Sequence, residues 1–197
     1  MNDATKELRE EMLNESRSVI DTRYSLVSKL LLALASVASY SLALRIAERI
    51  EPIEAVPDTG LWFPFAAGAI FGAFVLMPYA GADRRMFRIA LLCVASALIY
   101  RLAIWFVTAG PLDSDLLASF VITGAGAAAL CALAVALIAP QPVSALAVVF
   151  ALVAGAVGGA TFDIKIAADP NMVVGHGIWQ LLVCLALHAG FGRQLPA

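Results

Sequence analysis

This chain of 197 residues is 61% hydrophobic and only 14% charged, and its mean hydropathy is +0.87. A soluble domain contains about 45–50% apolar residues, so a soluble core cannot absorb this composition. The formal net charge of −2 argues against a nucleic-acid-binding protein, whose binding face is strongly basic. Because the apolar residues fall into runs near or above the roughly 18 residues that cross a bilayer, we predict an all-α, polytopic membrane helix bundle. It has about six transmembrane helices and a polar N-terminal helix.

Residues 1–25 are polar, carry charges of both signs and contain only a thin apolar stripe. They predict a cytoplasmic polar or amphipathic helix ahead of a six-helix transmembrane domain, residues 26–197. This helix is a candidate docking element for a cytoplasmic protein partner, although sustained coiled-coil heptads are absent. The segment is too long and too acidic for a cleavable secretory signal.

Six apolar stretches follow, and prolines in the connections mark several of their ends. The predicted spans are residues 26–47, 62–79, 86–108, 116–139, 143–162 and 172–190. Small residues recur at four-residue steps in the second and fifth spans, which predicts that neighbouring helices approach closely there. These residues are Gly68, Gly72, Ala151, Gly155 and Gly159.

Several ionisable or reactive side chains fall within these spans. Lys29 and Arg45 lie near the ends of the first span, so we expect them to reach the membrane interface. Arg101 lies only about four residues past the middle of the third span, roughly 6 Å from the midplane. Two interpretations of Arg101 stay open, a side chain that reaches the interface and one that points into the bundle.

The three cysteines fall in three different apolar runs without paired spacing. They therefore suggest neither a disulfide framework nor a zinc site, and we expect buried, inert thiols. No cofactor and no metal ion are predicted.

The distribution of Lys and Arg near the span ends predicts the orientation in the membrane. With an even number of spans, nine basic residues fall on the side of the termini and three on the other: Lys6, Arg9, Arg17, Arg23, Lys29, Arg84, Arg85, Arg88 and Arg193 against Arg45, Arg49 and Lys165. We therefore predict a protein integral to the plasma membrane, of the bacterial inner-membrane type, with both termini in the cytoplasm and the lipid bilayer as its surroundings.

The sixth span carries His176, Gln180, Cys184 and His188 at intervals of four residues. On a helix this spacing forms a slowly winding polar ridge. The two histidines are about 18 Å apart along the helix and cannot share one metal ion. In the predicted topology His188 lies near the cytoplasmic face, where we expect an interface residue, and the pair Cys184 and His188 has no polar neighbour inside the membrane.

Ionisable groups from different spans converge only near the outer end of this ridge. The candidate polar site consists of Arg101, Asp163, Lys165, His176 and Gln180; no catalytic residue is assigned. The alternative is that Asp163 and Lys165 pair in a loop, His176 lies at the interface beside Trp179, and Gln180 bonds to another helix.

The run from Gly175 to Gln180, GHGIWQ, resembles the last-helix pattern of the alkaline ceramidase superfamily of membrane hydrolases. In that family an HxxWH-like segment supplies metal ligands. Gln180 stands where the pattern has its second histidine, and no companion motif lies upstream. The resemblance therefore carries no metal site over to this chain.

Three functions are compatible with these features. The first is a non-enzymatic accessory or scaffold component of the membrane that binds a partner through the N-terminal helix, and it is favoured because no catalytic constellation is present. The second is a small-solute or proton-coupled transporter with a site near Arg101, Asp163 and His176. The third, with the least support, is a membrane-embedded lipid hydrolase.

Overall fold

The computed structural model describes residues 24–50, 63–81, 84–109, 116–139, 145–162 and 173–192, and in these ranges every regular element is helical. The helices are α1 (Leu26–Ile50), α2 (Phe63–Phe71, continued by a π-helical segment, Gly72–Leu76, and a 3-10 turn, Met77–Tyr79), α3 (Arg85–Ala109), α4 (Leu116–Ile138), α5 (Ala145–Ala160) and α6 (Val173–Gly192). The all-α prediction is confirmed for these ranges. Residues 1–23, most of the predicted N-terminal helix, lie outside them.

Within the described ranges, four helices are long and apolar enough to cross a membrane: Leu26–Ile46, Arg85–Thr108, Leu117–Ile138 and Val173–Phe191. The other two apolar helices, Phe63–Tyr79 and Ala145–Ala160, are shorter. At 1.5 Å per residue a helix of 16 residues is about 24 Å long, less than the roughly 30 Å hydrocarbon core. Crossing by α2 and α5 therefore stays a prediction.

The six helices form a closed bundle. Each helix packs against the next helix in the chain, and α1 closes the circuit by packing on α6. Helix α6 runs antiparallel to α1, since His188 lies beside Lys29 and His176 stacks on Tyr40. The inner face of α6 therefore borders the interior of the bundle along its length.

The outside of this bundle is more apolar than the surface of a soluble protein, and a few polar side chains are buried within its apolar core. Large apolar side chains cover the outside, where Leu137 is 83% exposed, whereas Gln180 is completely buried and Lys29 is only 3% exposed. Lysine and glutamine are mostly exposed in soluble proteins. The outer surface is suited to lipid, and polar contacts are kept inside.

Small residues allow the close helix contacts that the sequence predicted. A Cβ atom on Gly72 would lie 2.7 Å from the Cα atom of Cys93 on α3, and one on Gly158 would lie 2.8 Å from the Cα atom of Trp179 on α6. Such distances leave no room for a side chain. Backbone against backbone packing therefore holds α2 on α3 and α5 on α6.

The turn between α2 and α3 lies at the same end of the bundle as the start of α1. Gly81 has a positive φ of 71° in this turn, a conformation that glycine adopts without steric cost. Arg88 donates to the carbonyl oxygen of Ala80, and Arg85 donates to the hydroxyl of Tyr24. The chain therefore returns along α2 to the level at which α1 began.

Candidate functional site

The polar ridge of α6 faces other helices of the bundle. Each of its four residues, His176, Gln180, Cys184 and His188, meets a polar or aromatic group of α1 or α3. The polar line, as we call it, consists of these four residues and the side chains they meet: Lys29, Tyr40, Tyr100, His176, Gln180, Cys184 and His188.

Aromatic rings surround the end of the polar line that carries His176. The imidazole of His176 stacks on the ring of Tyr40 with centroids 4.2 Å apart and an angle of 4° between the planes. The ring of Tyr100 lies 5.2 Å away, and Phe162 meets the imidazole edge-on at 5.7 Å. The Nε2 atom of His176 is buried and has no hydrogen-bond partner in the part of the chain that the structure describes.

Gln180 occupies the middle of the line and is fully buried. Its Nε2 atom donates a long hydrogen bond of 3.5 Å to the hydroxyl oxygen of Tyr100, whereas its Oε1 atom has no partner. An unsatisfied buried acceptor costs about 1–3 kcal/mol. A leucine at this position would avoid that free-energy cost. A glutamine is therefore unfavourable at a position whose only role is packing.

Lys29 lies at the end of the polar line that carries His188. Its Nζ atom is 3.3 Å from Nδ1 of His188 and 4.7 Å from the ring centroid of Tyr79. The thiol of Cys184 meets the backbone oxygen of Lys29 at 3.5 Å. If the ammonium is charged, it donates to Nδ1, and the imidazole then carries its proton on Nε2.

These contacts correct two predictions. Lys29 does not extend to the interface, because the helix face that carries it packs against α6. Cys184 and His188 do have a polar neighbour, and that neighbour is Lys29. Sequence position showed how near the helix end these residues lie, but not which face of the helix they occupy.

A signal in the sequence of α1 could have located the lysine. Lys29, Ala33, Ser36 and Tyr40 follow the spacing of one helix face, and all four are buried. Between them Leu31 and Leu34 are exposed, and Leu30 and Leu32 are partly exposed. A stripe of small and polar residues within a leucine-rich span indicates the inner face of a membrane helix.

The structure separates Arg101 from the rest of the predicted site. Arg101 is half-buried and forms no hydrogen bond or ion pair with the described residues. The preceding side chain, Tyr100, is the one that reaches His176 and Gln180. Successive helical residues differ by about 100° in direction, so α3 turns Tyr100 to the interior and Arg101 away from it. Asp163 and Lys165 lie outside the described residues.

Trp179 connects α6 to α4 beside the polar line. The side chain is 4% exposed, and its Nε1 atom donates to the backbone oxygen of Gly124 at 3.2 Å. Its ring lies edge-on to Tyr100 with centroids 5.7 Å apart. A buried tryptophan with a satisfied N–H fixes the rotation of α6 and hence the direction of its neighbours His176 and Gln180.

The donors in the described ranges do not assemble a metal centre. No group of three His, Cys, Asp or Glu side chains in these ranges is placed to hold a metal ion. Gln180, at the position of the second histidine of the HxxWH-like pattern, is bonded to Tyr100 instead. The arrangement provides hydrogen-bond donors and acceptors, with an imidazole at each end whose ring nitrogens can donate or accept.

Comparison with models of known protein families, with curated proteins and with solved structures finds no match for this chain.

Proposed function

We propose that this protein is a small proton-coupled carrier of the bacterial inner membrane, with six spans, both termini in the cytoplasm and the polar line as its pathway. The observation that carries the proposal is the row of polar and ionisable groups along the inner face of α6: Gln180, Cys184 and the facing Lys29 are buried, and His176 and His188 at its two ends are partly buried. These residues cover about 18 Å of helix rise, more than half of the roughly 30 Å hydrocarbon core.

The free-energy cost of burying polar and ionisable side chains supports a functional role for the polar line. Ionisable side chains inside a membrane are expensive and typically mark ion or proton pathways. A scaffold could fill the same interior with leucine and alanine at lower cost. Lys29, Gln180 and His188 therefore favour a carrier over a protein whose bundle serves only as an anchor.

The six-span topology draws support from contacts at the two ends of the bundle. Arg85, at the start of α3, bonds to Tyr24, which precedes α1; α2 must therefore return the chain across the depth that α1 traverses. Helix α5 also runs along α6: a Cβ atom on Gly190 would lie 2.5 Å from Cα of Ala147, while Phe162 meets His176. Both short helices, α2 and α5, thus run alongside longer helices. Local thinning of the bilayer accommodates the difference between their length and the thickness of the hydrocarbon core.

Each part of the line has a separate role in this carrier. The imidazole of His176 takes up and releases a proton at one end. At the other end, Nδ1 of His188 accepts a proton from the Lys29 ammonium while Nε2 releases the proton that it carried, so the imidazole stays neutral. Lys29 donates to His188 and orients its ring. Gln180 and Tyr100 present hydrogen-bonding groups between the ends, and Gln180 does so without changing its charge.

Proton flux measured in proteoliposomes with an internal pH-sensitive dye tests the proposal on the full-length protein. We expect His176→Phe and Lys29→Met to lower flux about 10²-fold, the lower end of the effect of losing a positioned proton donor or acceptor. Lys29→Met should keep its fold, because an apolar side chain of similar volume often replaces a buried charge without loss of stability. Arg101→Gln is the matched control and should conduct like the wild type.

Flux in the wild type no greater than in protein-free vesicles would overturn the carrier, as would wild-type flux in both polar-line variants. In that case the accessory-component hypothesis would take its place. That hypothesis depends on residues 1–25 and stays a prediction, with co-purification of a partner lost on removal of residues 1–20 as its test. No contact among the described residues adds support to the lipid hydrolase.

A further inference from the structure

Three hydrogen-bonding groups in the outer half of the polar line are not fully satisfied by their protein contacts. Oε1 of Gln180 is an acceptor without a partner, and Nε2 of His176 also has none. The hydroxyl oxygen of Tyr100 receives the bond from Gln180, which leaves its own proton to donate. The set is thus one acceptor, one donor and one ring nitrogen that can act either way.

We propose that a single water molecule is bound between His176, Gln180 and Tyr100. A water molecule can donate two hydrogen bonds and accept others. It can therefore accept a hydrogen bond from the hydroxyl of Tyr100, donate one to Oε1 of Gln180, and donate to or accept from Nε2 of His176, whichever tautomer the imidazole adopts. Buried waters typically make about three hydrogen bonds to polar groups that would otherwise be unsatisfied. A bare cation cannot accept a hydrogen bond from the tyrosine hydroxyl, so this set of donors and acceptors favours water.

The helix geometry suits a bridge of this size. Side chains at positions i and i+4 are neighbours, with Cβ atoms about 5–6 Å apart. Two hydrogen bonds of about 2.8 Å through one oxygen atom span a similar distance. Complete burial of Gln180 and the rings of Tyr40 and Trp179 close to His176 restrict the site to a small occupant.

The bound water would give the proposed pathway a mobile proton at the point where it lacks one. Gln180 does not ionise at neutral pH, whereas a water can receive a proton on one side and release another on the opposite side. This inference rests on the same residues as the proposed carrier, but the binding of water does not require flux.

Solid-state NMR of the full-length protein in lipid bilayers, with 15N-labelled histidine, tests the site. The chain has two histidines, so His188→Gln assigns the two sets of ring signals. We expect magnetisation transfer from water to a ring nitrogen of His176. Gln180→Leu and Tyr100→Phe should each remove most of that transfer, because each deletes one anchor of the water. Ser96→Ala, which deletes a different buried hydroxyl on α3, is the control and should retain it.

Unchanged His188 signals would show that each variant is folded, and Tyr100→Phe is the mildest of these changes because the ring stays in place. Absence of water transfer at His176 in the wild type would overturn the site, and so would full transfer in both variants. Magnetisation transfer to His176 without proton flux would support the bound water and contradict the carrier. Proton flux without magnetisation transfer to His176 would support the carrier and contradict the bound water.

Discussion

Single glycines determine how closely α4 and α5 approach each other. A Cβ atom on Gly155 would collide with the backbone of Gly124 and would lie 2.6 Å from the Cβ atom of Ala128. Gly126, also on α4, faces open space, with no heavy atom within 4 Å of an added Cβ. Two glycines of the same helix pair therefore have opposite steric surroundings, although the sequence around both is small and apolar.

We expect Gly155→Ala to lower the free energy of unfolding by about 1–3 kcal/mol, the usual cost of overpacking a close contact. Gly126→Ala, its matched control, should leave stability unchanged or raise it, because alanine favours a helix by up to about 1 kcal/mol over glycine. Thermal unfolding in detergent, followed by circular dichroism, compares the two. Equal effects of the two substitutions would contradict the close α4 and α5 contact.

The surroundings of polar residues also differ from one position to another. Gln180 and Arg101 are both polar residues of membrane-spanning segments, yet one is completely buried and the other is half-buried without a hydrogen bond among the described residues. A residue type alone does not separate these cases. The direction of each side chain from its helix decides which one belongs to the polar line.

The irregular end of α2 is the main feature at the level of elements. A π-helical segment, Gly72–Leu76, precedes the 3-10 turn Met77–Tyr79. A π turn accommodates one residue more than the α-helical hydrogen-bonding pattern, and such bulges are frequent at functional sites. Here the extra residue sets the rotation of the helix end that carries Tyr79, whose ring lies under the ammonium of Lys29.

Deletion of Ala73 should remove the π segment and restore regular α-helical spacing. The residues on its two sides would then rotate by about 100° relative to each other, which would move Tyr79 away from Lys29. We expect a lower thermal midpoint and lower proton flux. Ala73→Ser keeps the residue count and should behave like the wild type in both assays. A deletion variant with wild-type midpoint and flux would show that the π segment has no such role.

On the scale of the whole molecule, the path of α2 determines the topology. If α2 crosses the membrane, the basic turn that contains Arg84 and Arg85 lies on the cytoplasmic side, as the positive-inside rule requires. If it does not, this turn lies outside and the connection after α3 lies inside. The bond between Arg85 and Tyr24 favours the first arrangement.

Cysteine labelling in intact cells distinguishes the two topologies. In a background with Cys93, Cys131 and Cys184 changed to alanine, we expect Asp113→Cys to react with a membrane-impermeant maleimide added outside. Asp83→Cys, on the opposite side in a six-span protein, should react only after the membrane is permeabilised. The reverse pattern of reactivity would contradict a six-span protein with both termini in the cytoplasm.

Much of the architecture was predictable from the sequence. The described helices α3 and α4 begin and end within one residue of the predicted spans, because a run of apolar residues long enough for a bilayer is a local property. The positions of the close helix contacts also followed from glycines at four-residue steps. Of the candidate site, Gln180 is buried and His176 is partly buried, and the site itself stays a prediction.

The sequence by itself therefore predicted an all-α membrane protein, and it determined where the described helices lie and that one of them carries a row of polar residues. Only the tertiary structure decided that Lys29 meets His188, that Tyr100 rather than Arg101 reaches the ridge, and that α2 ends in a π segment. Helix formation depends on local composition and spacing. The face that a helix turns inward depends on the neighbours packed around it, which no single stretch of sequence specifies.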